Sequence, residues 1–183
     1  MGSPFVYFSG DRLSQAELCA ARLDGDVVEV GDAYMPADAV ETAAIRAGSL
    51  GELTRGILAA THLSAAWIHG ALPDPPARHT LQRAVARRIH HVPTRRVVYR
   101  DVALAATDVE RRGGVLVTTA SRTLADLARV PDAEHRRVVG LMAEHAGPDV
   151  VDAAIAGLHR GALPHKRSAI AVLTTLGAEL RTT

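Results

Sequence analysis

Short apolar runs of two different periods alternate along the chain and are separated by Gly and Pro residues. The clearest change of period follows residues 115–117, a brief and mostly β-branched run that is typical of a strand. Hydroxyl groups that can accept hydrogen bonds from the first N–H groups of a helix follow at Thr118, Thr119 and Ser121. The pattern predicts a strand that passes directly into a helix.

The predicted helix has two different faces. Leu124, Leu127 and Ala128 recur at three- and four-residue spacing and indicate an inward stripe. Arg122 and Asp126 stand four residues apart on another face, where opposite charges can pair. We therefore expect a packing unit with an ion pair on its surface.

The N-terminal part of the chain predicts a helix followed by a β-hairpin. Residues 13–23 keep helical spacing, and Ser14 with Glu17 three residues later matches a capping box. Residues 26–30 and 33–36 have the pattern of two short strands joined by a turn. A helix followed by such a hairpin is the second half of a winged helix. Because few residues precede it, we expect a reduced module without the earlier helices.

The middle of the chain predicts two further helices. One begins near residue 38 and runs to residue 46, and the other contains Trp67, ends at Gly70 and has Thr61 or Ser64 as its cap. The remaining predicted elements are strands at residues 79–83 and 95–100, a polar strand and turn at 107–114, and helices at 132–145, 148–159 and 164–180.

Composition restricts the class of protein. Hydrophobic residues make up 48% of the chain and aromatic residues only 3%, so Trp67 is the expected largest core residue. The single cysteine, Cys19, excludes an intrachain disulfide, and we expect it to pack in its helix as a small apolar residue. With no apolar run of membrane-spanning length and no secretory signal, we expect a cytoplasmic protein without a membrane partner.

A net charge of +1 hides a strong asymmetry along the chain. Residues 1–56 contain four arginines and nine carboxylates, whereas residues 57–100 contain seven arginines and one carboxylate. Residues 101–183 balance ten basic with ten acidic residues. The acidic part is expected to attract the basic part, within one molecule or between two. The predicted helix and hairpin are acidic too, so we do not expect them to contact DNA phosphates.

The basic part is concentrated in residues 78–100, which contain seven Arg, three His and no acid. Strand alternation predicts Arg96, Val98 and Arg100 on a wet face and Val97 and Tyr99 on the other. Exposed guanidinium groups can bind nucleic-acid phosphates, and they can match an acidic protein surface equally well. The predicted contact residues are Arg83, Arg87, Arg88, Arg95, Arg96 and Arg100. Tyr99 and the adjacent His90 and His91 are expected beside them.

A solvated basic face is the alternative interpretation. Asp101, Asp108, Glu110 or the acidic N-terminal residues would then neutralise part of the positive charge. No pattern in this segment predicts contacts with base edges.

Motifs for catalysis are missing from the sequence. It has no phosphate-binding loop, dinucleotide fingerprint, nucleophile elbow or zinc-protease motif. His62 and His69 stand about two helical turns apart and are predicted to share a face, but a zinc site needs further ligands. We expect no metal, no cofactor and no catalysis. An enzyme whose active site matches none of these motifs is the other possibility.

Three segments of the chain carry a likeness through their order as well as their residues. They are residues 63–70 (LSAAWIHG), 117–129 (VTTASRTLADLAR) and 150–163 (VVDAAIAGLHRGAL). Together they resemble the signature of actinobacterial AbiEi-type antitoxins of type IV toxin–antitoxin systems, over residues 57–163.

The resemblance implies an α+β fold, with a reduced winged-helix-like module at residues 1–56 and a mixed-sheet domain covered by C-terminal helices at residues 57–183. It also implies a non-enzymatic role, which is to counter a nucleotidyltransferase-type toxin and to bind operator DNA for autoregulation. A nucleic-acid-binding transcriptional regulator without a toxin partner is the alternative. The residues expected to hold the scaffold are Ser64, Trp67, Arg122 and Asp126.

Overall fold

A five-stranded mixed sheet forms the centre of the computed structural model, which describes residues 5–89, 95–160 and 163–182. The predicted α+β fold is confirmed. In chain order the elements are α1 (Gln15–Asp24), β1 (Val27–Val30), β2 (Ala33–Pro36), α2 (Ala43–Gly48), α3 (Gly51–Thr54), β3 (Leu58–Ala60), α4 (His62–His69), β4 (His79–Arg83), β5 (Val97–Arg100), β6 (Val109–Arg112), β7 (Val115–Thr118), α5 (Ala120–Ala128), α6 (Ala133–Ala146), α7 (Pro148–His159) and α8 (Lys166–Leu180).

The predicted N-terminal helix and hairpin are confirmed. Ser14 caps α1 through a capping box, in which its backbone N–H donates to the Glu17 carboxylate across 2.7 Å. β1 and β2 pair antiparallel, and a bridge between Tyr7 and Tyr34 adds the chain before α1 to the hairpin. The expected burial of Cys19 is wrong, because its position on α1 is exposed. The relation of this unit to a winged helix stays a prediction.

The central sheet has the strand order β5-β4-β3-β7-β6. β3 pairs parallel with β7, and β4 pairs parallel with β5, whereas the β3–β4 and β6–β7 pairs are antiparallel. The basic strand β5 is therefore an edge strand, with one side of its backbone unpaired within the described sheet.

Helices on the sheet complete the core. Trp67 on α4 is fully buried, as predicted, and Leu124 and Leu127 of α5 are also fully buried. α5 packs against α4, α6, α7 and α8, so it lies at the centre of the helical layer. Buried apolar residues on both sides of residue 56 belong to one cluster, and the division into two domains there stays a prediction.

Three local predictions need correction. α2 begins at Ala43 rather than near residue 38, because the Thr42 hydroxyl accepts the Ile45 N–H and caps the helix there. Thr61 occupies the cap position of α4, but its hydroxyl contacts the His62 ring instead of a helix N–H. Ser64 does not cap either, since its hydroxyl accepts the backbone N–H of Thr80 on β4.

None of the helices in the described residues is both long and apolar enough to span a membrane.

Candidate functional site

Five of the predicted contact residues lie on or beside the edge strand β5, and all five are exposed. Arg100 ends β5, Arg95 and Arg96 precede it, and Arg87 and Arg88 lie in the segment after β4. We call this set, Arg87, Arg88, Arg95, Arg96 and Arg100, the basic edge. Val97 is buried and Arg100 exposed, as predicted, but Val98 and Tyr99 are both half-buried, so the strand shows only part of the predicted alternation.

Arg83, the sixth predicted contact residue, does not face outward. Its side chain is only 11% exposed, and its Nε lies 3.0 Å from Oδ1 of Asp101. Its guanidinium also donates to the carbonyl oxygens of Val85 and Ala86. The expectation of an outward Arg83 is therefore wrong, because this side chain holds the segment that follows β4.

Carboxylates of the chain neutralise part of the basic edge. Asp101 lies 3.7 Å from Arg88, whose side chain is 76% exposed. Asp32, between β1 and β2, pairs with Arg96, so the expected attraction between the acidic and basic parts occurs at this point. The Arg88 pair is exposed, so it contributes little and is screened by salt, whereas the Asp32 side chain in the Arg96 pair is only 8% exposed.

Positive charge remains after this pairing. Among the described residues no carboxylate lies within 4.0 Å of the Arg87, Arg95 or Arg100 guanidinium. The two other carboxylates expected to neutralise the segment act elsewhere, since Asp108 contacts Arg122 and Glu110 contacts Arg112.

Tyr99, His90 and His91 were expected beside the contact arginines, and of these the structure describes Tyr99. The Tyr99 hydroxyl donates to Asp101 across 2.9 Å, and burial together with this hydrogen bond raises the pKa of Tyr99. His90 and His91 lie outside the described residues.

A second charged cluster surrounds Asp126, which the sequence assigned to the scaffold. Oδ2 of Asp126 accepts from Arg122 Nε across 2.8 Å, and Oδ1 accepts from Arg129 Nη1 across 3.0 Å. Arg122 also contacts Asp108, which lies just before β6. The predicted pair of Arg122 and Asp126 is thus confirmed, but Asp126 is only 2% exposed rather than on the surface.

These side chains line a cavity of about 320 Å³ between α5 and α7. We call it the Asp126 cavity. Its polar wall includes Arg122, Arg129 and Ser121, and Arg160 adds a third guanidinium from the end of α7. Ala154 and Leu158 belong to its apolar wall, together with Ala153. Arg129 lies three residues after Asp126, and this spacing was the one sequence signal for its part in the cluster.

Burial and the neighbouring charges act in opposite directions on this cluster. Burial raises the pKa of Asp126, and Arg122 and Arg129 oppose that effect. Burial would lower the pKa of Arg122, but the carboxylates of Asp126 and Asp108 outweigh it and raise that pKa. We take Asp126 as ionised, since each of its oxygens accepts from a guanidinium, a group that stays protonated in proteins.

His62 lies near this positive charge. Burial lowers its pKa from 6.5 to about 2, and the charge of Arg100 adds to the effect. Its ring meets that of His135 edge-on at 6.1 Å, whereas His69 Nε2 lies 2.8 Å from the Thr118 carbonyl oxygen. The two histidines thus have different partners, and no group of three metal-ligating residues occurs among the described residues.

Ser64 and His79 form a pair that resembles part of a nucleophilic site. Ser64 Oγ lies 3.2 Å from His79 Nδ1, and the charge of Asp32 acts on His79. Ser64 is fully buried and His79 is 4% exposed, so a substrate cannot reach the hydroxyl in this structure. The hydroxyl accepts from Thr80, which indicates a structural role in joining α4 to β4.

Comparison with known proteins adds no family. No protein-family model matches the chain, and no curated protein matches it. Among solved structures, the chain is similar to the crystal structure of the RV2827C protein from Mycobacterium tuberculosis, with 14% sequence identity and a TM-score of 0.37. The match covers 92% of this chain and 70% of that chain. At this TM-score the likeness carries no argument about function.

Proposed function

We propose that this protein acts by binding rather than catalysis, as an antitoxin-like protein that counters a nucleotidyltransferase-type toxin and binds operator DNA through the basic edge. The observation that carries the DNA-binding part is the set of five exposed arginines in β5, just before it and in the segment after β4. The toxin part rests on the resemblance to AbiEi-type antitoxins.

The size of the basic edge suits a duplex. Four residue steps separate Arg96 from Arg100, which is about 13 Å along an extended strand. A DNA duplex carries one charge per about 1.7 Å of its axis, so several phosphates face a strand of this length. Arginine binds phosphate oxygens through a planar fork of donors, without reading base sequence. This surface therefore supplies affinity, and sequence preference requires other contacts.

The segments that resemble the antitoxins support the scaffold and not the contact surface. Residues 63–70 form most of α4, in which Trp67 is fully buried, and residues 117–129 include the buried side of α5. A toxin partner would contact exposed residues, and the basic edge offers a surface that fits an acidic protein.

Fluorescence anisotropy with a labelled duplex tests the DNA-binding part at low salt. We expect loss of binding when four arginines of the basic edge are changed together to Glu, namely Arg87, Arg88, Arg95 and Arg96. The matched control has the same change in net charge at exposed positions elsewhere, namely Arg12, Arg111, Arg137 and Arg167. Equal loss in both variants would mean that total charge, and not the basic edge, governs binding.

Purification of the tagged protein from its native host tests the toxin part. Recovery of a nucleotidyltransferase in a stoichiometric complex supports the antitoxin role. Recovery of DNA without such a protein supports the alternative, a transcriptional regulator without a toxin partner.

A further inference from the structure

The Asp126 cavity has an excess of positive charge. Arg122, Arg129 and Arg160 line it, against the carboxylates of Asp108 and Asp126. Each oxygen of Asp126 already accepts from a guanidinium, so the carboxylate orients the arginines more than it repels an anion. The charge of the exposed Arg100 also acts on Asp126 and Arg129 and increases the excess.

Hydrogen-bond donors remain available on these arginines. Arg122 uses Nε and Nη1, and Arg129 uses Nη1 for Asp126 and Nε for the Pro164 carbonyl oxygen. The Nη2 of each, and the guanidinium of Arg160, have no hydrogen-bond partner among residues 5–89, 95–160 and 163–182. Because the side chains of Arg122 and Arg129 are only 21% exposed, their contacts with water are restricted. Donors of this kind favour an oxyanion.

The first turn of α5 adds to the positive potential. Thr119 caps this nine-residue helix by accepting the Arg122 N–H, and both Thr119 and Ser121 line the cavity. The partial positive charge of a helix N-terminus attracts anions. It acts at the Ser121 and Arg122 end of the cavity, whereas Arg129 and Arg160 lie at the C-terminal ends of α5 and α7.

The volume and the apolar wall restrict the ligand. A cavity of about 320 Å³ is at the lower end of the range for small-molecule sites, about 300–1,000 Å³. Ala153, Ala154 and Leu158 give one side of it an apolar surface. This combination fits a compact molecule that has one anionic end and one less polar end.

We infer that the Asp126 cavity binds a small molecule through its phosphate monoester or carboxylate group, with the less polar part against α7. The shared chemistry is an oxyanion held by Arg129 and Arg160. This inference does not rest on the proposed function, because the basic edge and the Asp126 cavity use different contact residues.

Isothermal titration calorimetry with four probes tests the inference on the whole chain: inorganic phosphate, AMP, adenosine and benzoate. We expect saturable binding of phosphate and AMP if the natural group is a phosphate, or of benzoate if it is a carboxylate. Adenosine has no oxyanion, and we expect it not to bind. Absence of saturation with phosphate, AMP and benzoate up to about 10 mM, a concentration at which weak sites fill, would overturn the inference. Binding of adenosine as tight as that of AMP would also overturn it.

Three substitutions at solvent-accessible positions, one of them a control, locate the site without disturbing the core. Arg160→Gln is expected to weaken the bound probe about tenfold, the effect of losing one charge-assisted hydrogen bond. Arg137→Gln, on α6 and outside the cavity lining, is the matched control and should bind as the parent does. Ala153→Leu narrows the cavity, so AMP or benzoate should lose more affinity than inorganic phosphate. Equal affinity in the parent and Arg160→Gln would overturn the assignment to this cavity.

The two proposals fail separately. The basic-edge variant with four Glu residues should keep its affinity for the small probe, because none of its changed residues lines the cavity. Loss of DNA binding with retained probe binding is the expected result. Loss of probe binding in a folded basic-edge variant would contradict the location of the small-molecule site.

Discussion

Arg122 donates from Nε to Oδ2 of Asp126 across 2.8 Å, and the carboxylate that it meets is almost completely buried. The sequence predicted this pair from a spacing of four residues and placed it on the surface. In the structure α7 packs against α5, so the pair lies at the floor of a cavity. Because the pair is buried, removal of either partner should lower the stability of the fold strongly.

Asp126→Asn should destabilise the fold strongly. The change removes the negative charge between Arg122 and Arg129, and it leaves two partly buried guanidinium groups without the carboxylate that neutralises them. We expect the free energy of unfolding to fall by about 3 kcal/mol, as when one partner of a buried ion pair is removed. Chemical denaturation at neutral pH measures it.

Asp152→Asn is the control for that measurement. Asp152 pairs with Arg181, and both side chains are at least half exposed. Asp152→Asn should therefore lower the free energy of unfolding much less than Asp126→Asn does. Similar effects of the two substitutions would show that Asp126 is not the structural centre of the cluster.

Stability should fall on mild acidification because of His62. Burial lowers its pKa from 6.5 to about 2, so the unfolded chain takes up a proton that the folded chain does not. This contribution to stability is complete above the unfolded pKa and is lost as pH falls below it. We expect a loss of about 1 kcal/mol from this histidine between about pH 6 and pH 5.

A variant isolates this proton. His62 has a positive φ of 51°, a conformation that Asn tolerates better than most residues. His62→Asn should therefore show a slope of unfolding free energy against pH that is smaller by about one proton in this range. His69 and His79, whose pKa values are also lowered chiefly by burial, should keep the remaining slope. An unchanged slope would mean that His62 is protonated in the folded state.

Gly113 should not accept a side chain. It lies in the β6–β7 turn with a positive φ, and a Cβ there would stand 2.0 Å from the carbonyl oxygen of Ala44 on α2. We expect Gly113→Ala to lower stability by about 3 kcal/mol or more, from overpacking and a left-handed backbone. Thermal and chemical denaturation measure the change.

Gly25 provides the matched position. It ends α1 with a similar positive φ, but beyond its chain neighbours no atom lies within 4 Å of the point that a Cβ would occupy. Gly25→Ala should lose only the backbone contribution, about 1 kcal/mol. If both glycines respond equally, the close approach of the β6–β7 turn to α2 is not as the structure shows.

Local spacing was sufficient for much of the fold. Ser14 and Glu17 cap α1 as predicted, and α7 has the predicted bounds. These features depend on hydrogen bonds and side-chain contacts within a few residues, which a sequence displays directly. The strand-to-helix passage at Thr119 belongs to the same class.

Contacts between distant segments could not be predicted from such local spacing. Arg83 and Arg88 have the same local basic surroundings, yet Asp101 lies against a buried Arg83 and a largely exposed Arg88. The Asp126 cavity likewise needs α7 to bring Arg160 and an apolar wall to α5. Neither arrangement follows from the order of residues within one element.

The salt dependence of duplex binding tests the central claim, that the basic edge holds DNA phosphates, most directly. Each guanidinium that neutralises a phosphate contributes about −0.9 to the slope of log affinity against log salt concentration. If the five arginines of the basic edge act this way, the slope should reach about −4.5, and Arg87→Gln with Arg95→Gln should reduce its magnitude by about 2. A slope near zero, or one that this double substitution leaves unchanged, would contradict the account.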